Sequence, residues 1–127
     1  PAWLDEFDKV RLPYNINVLT QASAEFALRH RTVFDEQTQA IRRERARLSA
    51  ALERLAGVTV YPSQANFLLL RTPPGRARAW FEGLRERGVL IKKLDGAHPL
   101  LDDCLRPTVG TPQENDALLA ALAEVTA

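Results

Sequence analysis

The side chains in this sequence best suited to chemistry are cationic. Arg106 follows Cys104-Leu105 in a run that otherwise reads as a strand, ahead of Thr108-Val109-Gly110-Thr111. A guanidinium placed there can grip a carboxylate or phosphate through two parallel hydrogen bonds. It can equally be an arginine on a solvated strand face, and pattern alone favours that plainer reading. Lys92 and Lys93 lie near the end of another apolar run, Val89 to Leu94. Alternation along a strand sends one of the two lysines toward the core and the other outward. If Lys92 lies near Arg106, the two can share one anion; a solvated strand end is again the plainer reading.

Other chemistries find little support. Cys104 is the only cysteine, so an internal disulfide and a cysteine-based zinc site are excluded. His30 and His98 do not by themselves suggest a metal site. Thr72-Pro73-Pro74-Gly75 lacks the glycines of a phosphate loop, and no serine nucleophile elbow is present. Asp102 and Asp103 are adjacent, would point to opposite faces of an extended chain, and read as a solvated loop. The basic run Arg42 to Arg47 is interleaved with Glu44 and carries no alternating aromatics. It reads as a solvated helix face rather than a nucleic-acid platform.

Lys and Arg number 17 against 16 Asp and Glu, a net charge of +1 that gives no pull toward nucleic acid or membrane. With 127 residues, 46% of them hydrophobic and 26% charged, the chain fits one soluble domain able to bury a core without staples. The longest apolar run, Ala117 to Ala123, is far too short for a bilayer span, and no leader is visible. A cytoplasmic location is the expectation. Methionine is absent and the sequence opens at Pro1, so either an initiator methionine was removed or this is a piece of something longer.

The elements that must position these residues follow from periodicity. Residues 1 to 15 read as an arm or short helix bounded by Pro13. Helices are predicted from an Asn17 cap through Phe26, and from about Val33 to Ala56 with Gly57 as the stop. The second carries Phe34, Ile41, Leu48, Leu52 and Leu55 on one line. Val58 to Tyr61 and Asn66 to Leu70 read as an antiparallel hairpin. Ala77, Trp80, Phe81 and Leu84 mark a third helix, Val89 to Leu94 a third strand, and Cys104 to Val109 a fourth. The last helix has the strongest local signal: Thr111 as cap, Pro112 in its first position and Glu114 closing a capping box. This order predicts a two-layer α/β (α+β) sandwich. A small, mainly antiparallel or mixed sheet of about four strands would carry helices on one face, burying every apolar stripe, after a long N-terminal helix pair.

Several segments together resemble the histidinol-phosphate aminotransferases. They are Asp8-Lys9-Val10-Arg11-Leu12-Pro13-Tyr14-Asn15, Tyr61-Pro62-Ser63-Gln64-Ala65-Asn66-Phe67-Leu68-Leu69, Gly88-Val89-Leu90-Ile91-Lys92, and Cys104-Leu105-Arg106 with Thr108-Val109-Gly110-Thr111-Pro112. The resemblance runs along essentially the whole chain, and to the C-terminal part of the family only. It implies the small domain at residues 16–127, with an interdomain arm at 1–15, of a pyridoxal-phosphate enzyme of the aspartate-aminotransferase fold type. The large domain, with the lysine that forms the Schiff base, would lie upstream, so this chain alone should neither transaminate nor bind the cofactor. The whole family enzyme moves an amino group between glutamate and imidazole-acetol phosphate in histidine biosynthesis, and is usually a homodimer.

By that resemblance Arg106 grips the substrate's phosphate or carboxylate. Lys92 stands where a second basic residue, usually arginine, helps hold the phosphate; lysine keeps the charge but loses the fork, which implies a looser grip. Asn66 matches the family's Ala-Asn-Phe motif, with substrate contact and a structural role both open. Pro107 departs from the family's apolar residue and predicts a strand edge or a bulge, since proline removes a ladder donor. An exposed apolar patch at Trp3, Phe7 and Tyr14 is expected where the large domain would pack. The alternative is a stand-alone, non-catalytic anion- or partner-binding module using the same Arg106 and Lys92. Neither reading involves nucleic acid or membrane.

Overall fold

The computed structural model describes residues 2–12 and 16–126. They divide into two compact units, Pro1–Gln37 and Thr38–Ala127. The first unit holds helices α1 (Ala2–Val10) and α2 (Val18–Arg29) and the start of α3 (Arg31–Leu52). Asn17 caps α2 as its spacing predicts, its side-chain oxygen accepting from the Thr20 N–H at 2.9 Å. The apolar residues of this unit are largely uncovered: Trp3 is 77% exposed, Phe7 62% and Leu19 79%. Tyr14, the third member of the expected patch, lies outside the described residues.

The second unit contains β1 (Thr59–Tyr61), β2 (Leu69–Arg71), α4 (Ala77–Glu86), β3 (Lys92–Lys93), β4 (Cys104–Arg106) and α5 (Pro112–Thr126). The four strands form one sheet in the order β1-β2-β4-β3, and every neighbouring pair is antiparallel. Its register decides which residues meet the helices. Val60 faces Leu70, Leu70 faces Leu105, and Leu105 faces Lys93. Leu70 and Leu105 join a core with Leu48 and Leu52 of α3, Trp80 and Leu84 of α4, and Leu118 and Leu122 of α5. Truncating Leu105, which has no exposed surface, to alanine would cost about 2–5 kcal/mol by transfer and cavity terms. Gly83 permits the close approach of α4 to α5, because a Cβ there would meet Val125 Cγ2 at 2.9 Å.

The expectation that every apolar stripe is buried is not met. Leu48 and Leu52 are fully covered, but Phe34, on the same line, is 45% exposed. Strands of two or three residues offer a small inner face, and the stripes of α4, α5 and the end of α3 fill it. Helix α3 also stops earlier than its pattern suggests, at Leu52, and a run of turns carries the chain to Gly57, whose φ of +72° reverses it. The capping box of α5 forms as predicted. Glu114 Oε2 accepts from the Thr111 N–H at 2.8 Å, and Thr111 Oγ1 accepts from the Glu114 N–H at 3.3 Å.

Asp103 differs from its reading as a solvated loop residue, whereas Asp102 is exposed. Asp103 is half-buried at φ +60°, in the left-handed region that non-glycine residues seldom occupy. Its Oδ1 accepts from the Gly75 N–H at 2.9 Å, its own N–H donates to Asp95 Oδ1 at 3.0 Å, and its carbonyl accepts from the Thr72 N–H at 2.9 Å. These bonds tie the ends of β2 and β4 to the loop between them. Asp103→Asn keeps the acceptor and tolerates the backbone, so its urea midpoint should stay close to that of the parent. Asp103→Ala keeps the strain and loses the acceptor, with an expected cost of about 1–3 kcal/mol.

Candidate functional site

The helices cover one face of the sheet, and the cationic residues alternate onto the other. Arg106 follows Leu105, so when Leu105 enters the core Arg106 must point away from it. Its cross-strand partner on β3 is Lys92. Arg71 follows Leu70 and shares this parity opposite Cys104, which lies two residues before Arg106. Lys92, Arg106 and Arg71 therefore occupy one sheet face. Like charges directly opposite one another destabilise a sheet unless a counter-charge lies between them. Among the described residues no carboxylate comes within ion-pairing distance of Lys92 or Arg106.

Arg106 is half-buried, with its guanidinium carbon 4.9 Å from the centroid of the Phe67 ring. Its Nε is shut off from water and has no hydrogen-bond partner among the described residues. Arg71, which the sequence reading did not single out, lies 5.9 Å from the Tyr61 ring and donates from a terminal nitrogen to the Leu100 carbonyl at 2.7 Å. The nearby Cys104 side chain, with Tyr61, holds the Arg71 pKa above its ordinary value. Arg71 thus spends a terminal nitrogen on the loop before β4, although its Nε, like that of Arg106, is buried without a partner; Arg106 makes no side-chain hydrogen bond among the described residues. The signal for Arg71 was available in the same alternation that separates Leu105 from Arg106.

Two polar clusters fix the chain on either side. In the turn between β1 and β2, Ser63 Oγ donates to the Phe67 carbonyl at 2.6 Å and accepts from the Ala65 N–H at 3.1 Å. Arg45 reaches from α3 to the Ala65 carbonyl at 2.8 Å. After β4, the buried Asn115 accepts from the Gly110 N–H, donates to the Gly110 carbonyl, and donates to Glu44 Oε2 at 2.8 Å. Arg47 pairs with Glu44 at 2.8 Å and with Asp116 at 2.7 Å. Arg45 and Arg47 therefore tie α3 to the rest of the unit, which corrects their reading as a purely solvated face.

Asn66 is exposed, and its carbonyl accepts from the Val109 N–H at 2.8 Å. The register sets it opposite Val109, one residue out of phase with the Arg106 face. Pro107 makes no bulge toward β2, but the strand stops just before it, at Arg106, and at Pro107 pairing continues on the β2 side only. Strand β4 is flanked on both sides, and the Phe67–Thr108 bridge keeps the register of Leu70–Leu105. Leu68 N–H still donates to the Pro107 carbonyl at 3.0 Å, so only the reciprocal bond is lost. A groove of about 350 Å³ lies between Gly88–Ile91 and the start of α5, but it carries no cationic side chain. Among the described residues no cluster of His, Cys, Asp and Glu could hold a metal ion, and no helix is long and apolar enough to cross a membrane.

Comparison with known proteins gives a consistent picture. The family model for aminotransferase class I and II matches residues 1–122. A histidinol-phosphate aminotransferase 2 of Nitrosococcus oceani is 60% identical over 122 residues, covering 96% of this chain and 34% of that protein. A histidinol-phosphate aminotransferase of Chromobacterium violaceum is 55% identical with the same coverage. The crystal structure of the histidinol-phosphate aminotransferase from Clostridium acetobutylicum superposes with a TM-score of 0.79 at 24% identity, over 91% of this chain and 35% of that one, a likeness of fold. The chain spans about a third of the length of the curated relatives it matches.

The Glu44 cluster makes a prediction about acid. Hydrogen bonds from Arg47 and then Asn115 hold the Glu44 carboxyl below its ordinary pKa of 4.5. A depressed carboxylate stabilises the fold above its unfolded pKa, and that contribution fades as pH falls through the folded value. Urea midpoints should therefore drop on acidification below about pH 4.5. Glu44→Gln should lower the midpoint at neutral pH and flatten the acid limb; an unchanged acid limb would refute the assignment.

Proposed function

The chain belongs to the aminotransferase class I and II family, and on that premise we propose that it is the C-terminal small domain of a histidinol-phosphate aminotransferase. In this reading residues 1–15 are the interdomain arm and 16–127 the domain, and Arg106 with Lys92 recognises the phosphate or carboxylate of the substrate. The observation that carries it is the in-register Lys92–Arg106 pair, two cations facing one another with no carboxylate in ion-pairing distance among the described residues. An anion bridging the pair would remove the repulsion and use the donors of Arg106. The identity to two histidinol-phosphate aminotransferases supports a phosphorylated amino-alcohol substrate.

The family depends on pyridoxal phosphate, and the lysines of this chain do not fit the task of holding it. Lys9 pairs with Glu6 on an exposed helix, Lys92 is exposed at a sheet edge, and Lys93 is half-buried beside it on the same two-residue strand. The cofactor and its chemistry therefore belong, in this proposal, to the remaining two thirds of the polypeptide. The residues described here orient the substrate and contribute charge, a contribution that lies in positioning. The exposed Trp3, Phe7 and Leu19 suit a surface that packs against that remainder, and the same remainder would supply most of a dimer interface.

The test is calorimetric titration of the chain with histidinol phosphate. Arg106→Ala should weaken binding about tenfold to a hundredfold, the loss expected for charge-assisted hydrogen bonds. Lys92→Arg should tighten it by restoring a fork. Equal affinity of the parent and Arg106→Ala would defeat the proposal.

A further inference from the structure

We propose that Phe67 is the positioning residue for Arg106, its ring face holding the guanidinium in place for an anion while occupying none of its N–H donors. This deepens the reading of Arg106 given above and rests on it. The guanidinium carbon lies 4.9 Å from the ring centroid, within the range where the quadrupole of an aromatic face attracts a cation. A carboxylate at that position would also fix the arginine, but it would neutralise the charge and take up the fork. The ring does neither.

The backbone places Phe67 for this role. It pairs with Thr108 in the β2–β4 register, and is thus a diagonal neighbour of Arg106 on the same face. Its carbonyl accepts from Ser63 Oγ, and the Leu68 that follows it is buried at 1% exposure and donates its N–H to Pro107. The ring therefore projects from a segment held on both sides. Arg71 provides an internal contrast. It also lies near an aromatic ring, that of Tyr61, yet it spends a terminal nitrogen on the Leu100 carbonyl. Position 67 accordingly requires an aromatic face, and an aliphatic side chain of similar apolarity would not substitute.

The experiment compares the chain with Phe67→Leu and Phe67→Tyr, using inorganic phosphate as the probe. Two quantities are read: phosphate affinity, and the NMR signal and order of the Arg106 Nε–H group without ligand. Urea midpoints show that each variant is folded. Phe67→Leu should release the Arg106 signal toward that of a mobile arginine and weaken phosphate binding about three- to thirtyfold, the range of a cation–π contact. Phe67→Tyr should restore both. An Arg106 signal that is the same in the parent and Phe67→Leu overturns the proposal, as does tyrosine failing to rescue a folded protein. The underlying reading fails separately, when Arg106→Ala binds phosphate as well as the parent does, and the Arg106 signal still reports on Phe67 in that case.

Discussion

Leu70 and Leu105 face each other across the β2–β4 ladder, and both enter the core beneath the helices. The remaining geometry of the Thr38–Ala127 unit depends on that pairing. Because side chains alternate, burying Leu105 turns Arg106 outward, and burying Leu70 turns Arg71 outward onto the same face. A slip of one residue would drive a guanidinium into the apolar layer, at a cost far above that of any surface pair. The hydrophobic effect thus sets the register, and the register gathers the cations. Pro107 does not disturb it, because the missing donor removes one hydrogen bond while the Leu68 N–H still donates to the Pro107 carbonyl and Phe67 still bridges Thr108.

The cationic face sets two basic residues directly opposite each other across a strand pair. Some arginines are matched, Arg47 with Glu44 and Asp116, Arg87 with Glu124 and Arg78 with Glu82, while others such as Arg42, Arg43 and Arg76 stand exposed on helices or loops without an ion pair among the described residues. Arg106 and Lys92 have no such partner among the described residues, although sixteen acidic residues are available in the chain. Aromatic rings stand beside the two arginines of this face instead. Such an arrangement retains positive charge and free donors, which a structural ion pair would consume.

Much of this was legible in the sequence. Capping at Asn17 and Thr111, the stripe of α4 and the antiparallel hairpin follow from local rules, and the structure shows each of them. The pairing of Lys92 with Arg106 was a conditional reading, because alternation gives a face but not which strands adjoin. Phe67 went unmarked for the same reason, because its importance arises from a neighbour distant in sequence, whereas the outward parity of Arg71 follows from the alternation after Leu70. Asp103 was misread because a left-handed aspartate held by Gly75, Asp95 and Thr72 leaves no periodic trace. Phe34 and Ile41 were read as part of a buried line and are not buried, whereas Trp3 and Phe7 were expected to be exposed and are.

The most direct test of the account is a map of backbone amide shifts as inorganic phosphate is added to the chain. Shifts are expected to centre on Lys92, Arg106 and the adjoining Phe67, on the sheet face that the helices leave open. Shifts centred instead on the groove between Gly88–Ile91 and α5, or none at all, would contradict the account.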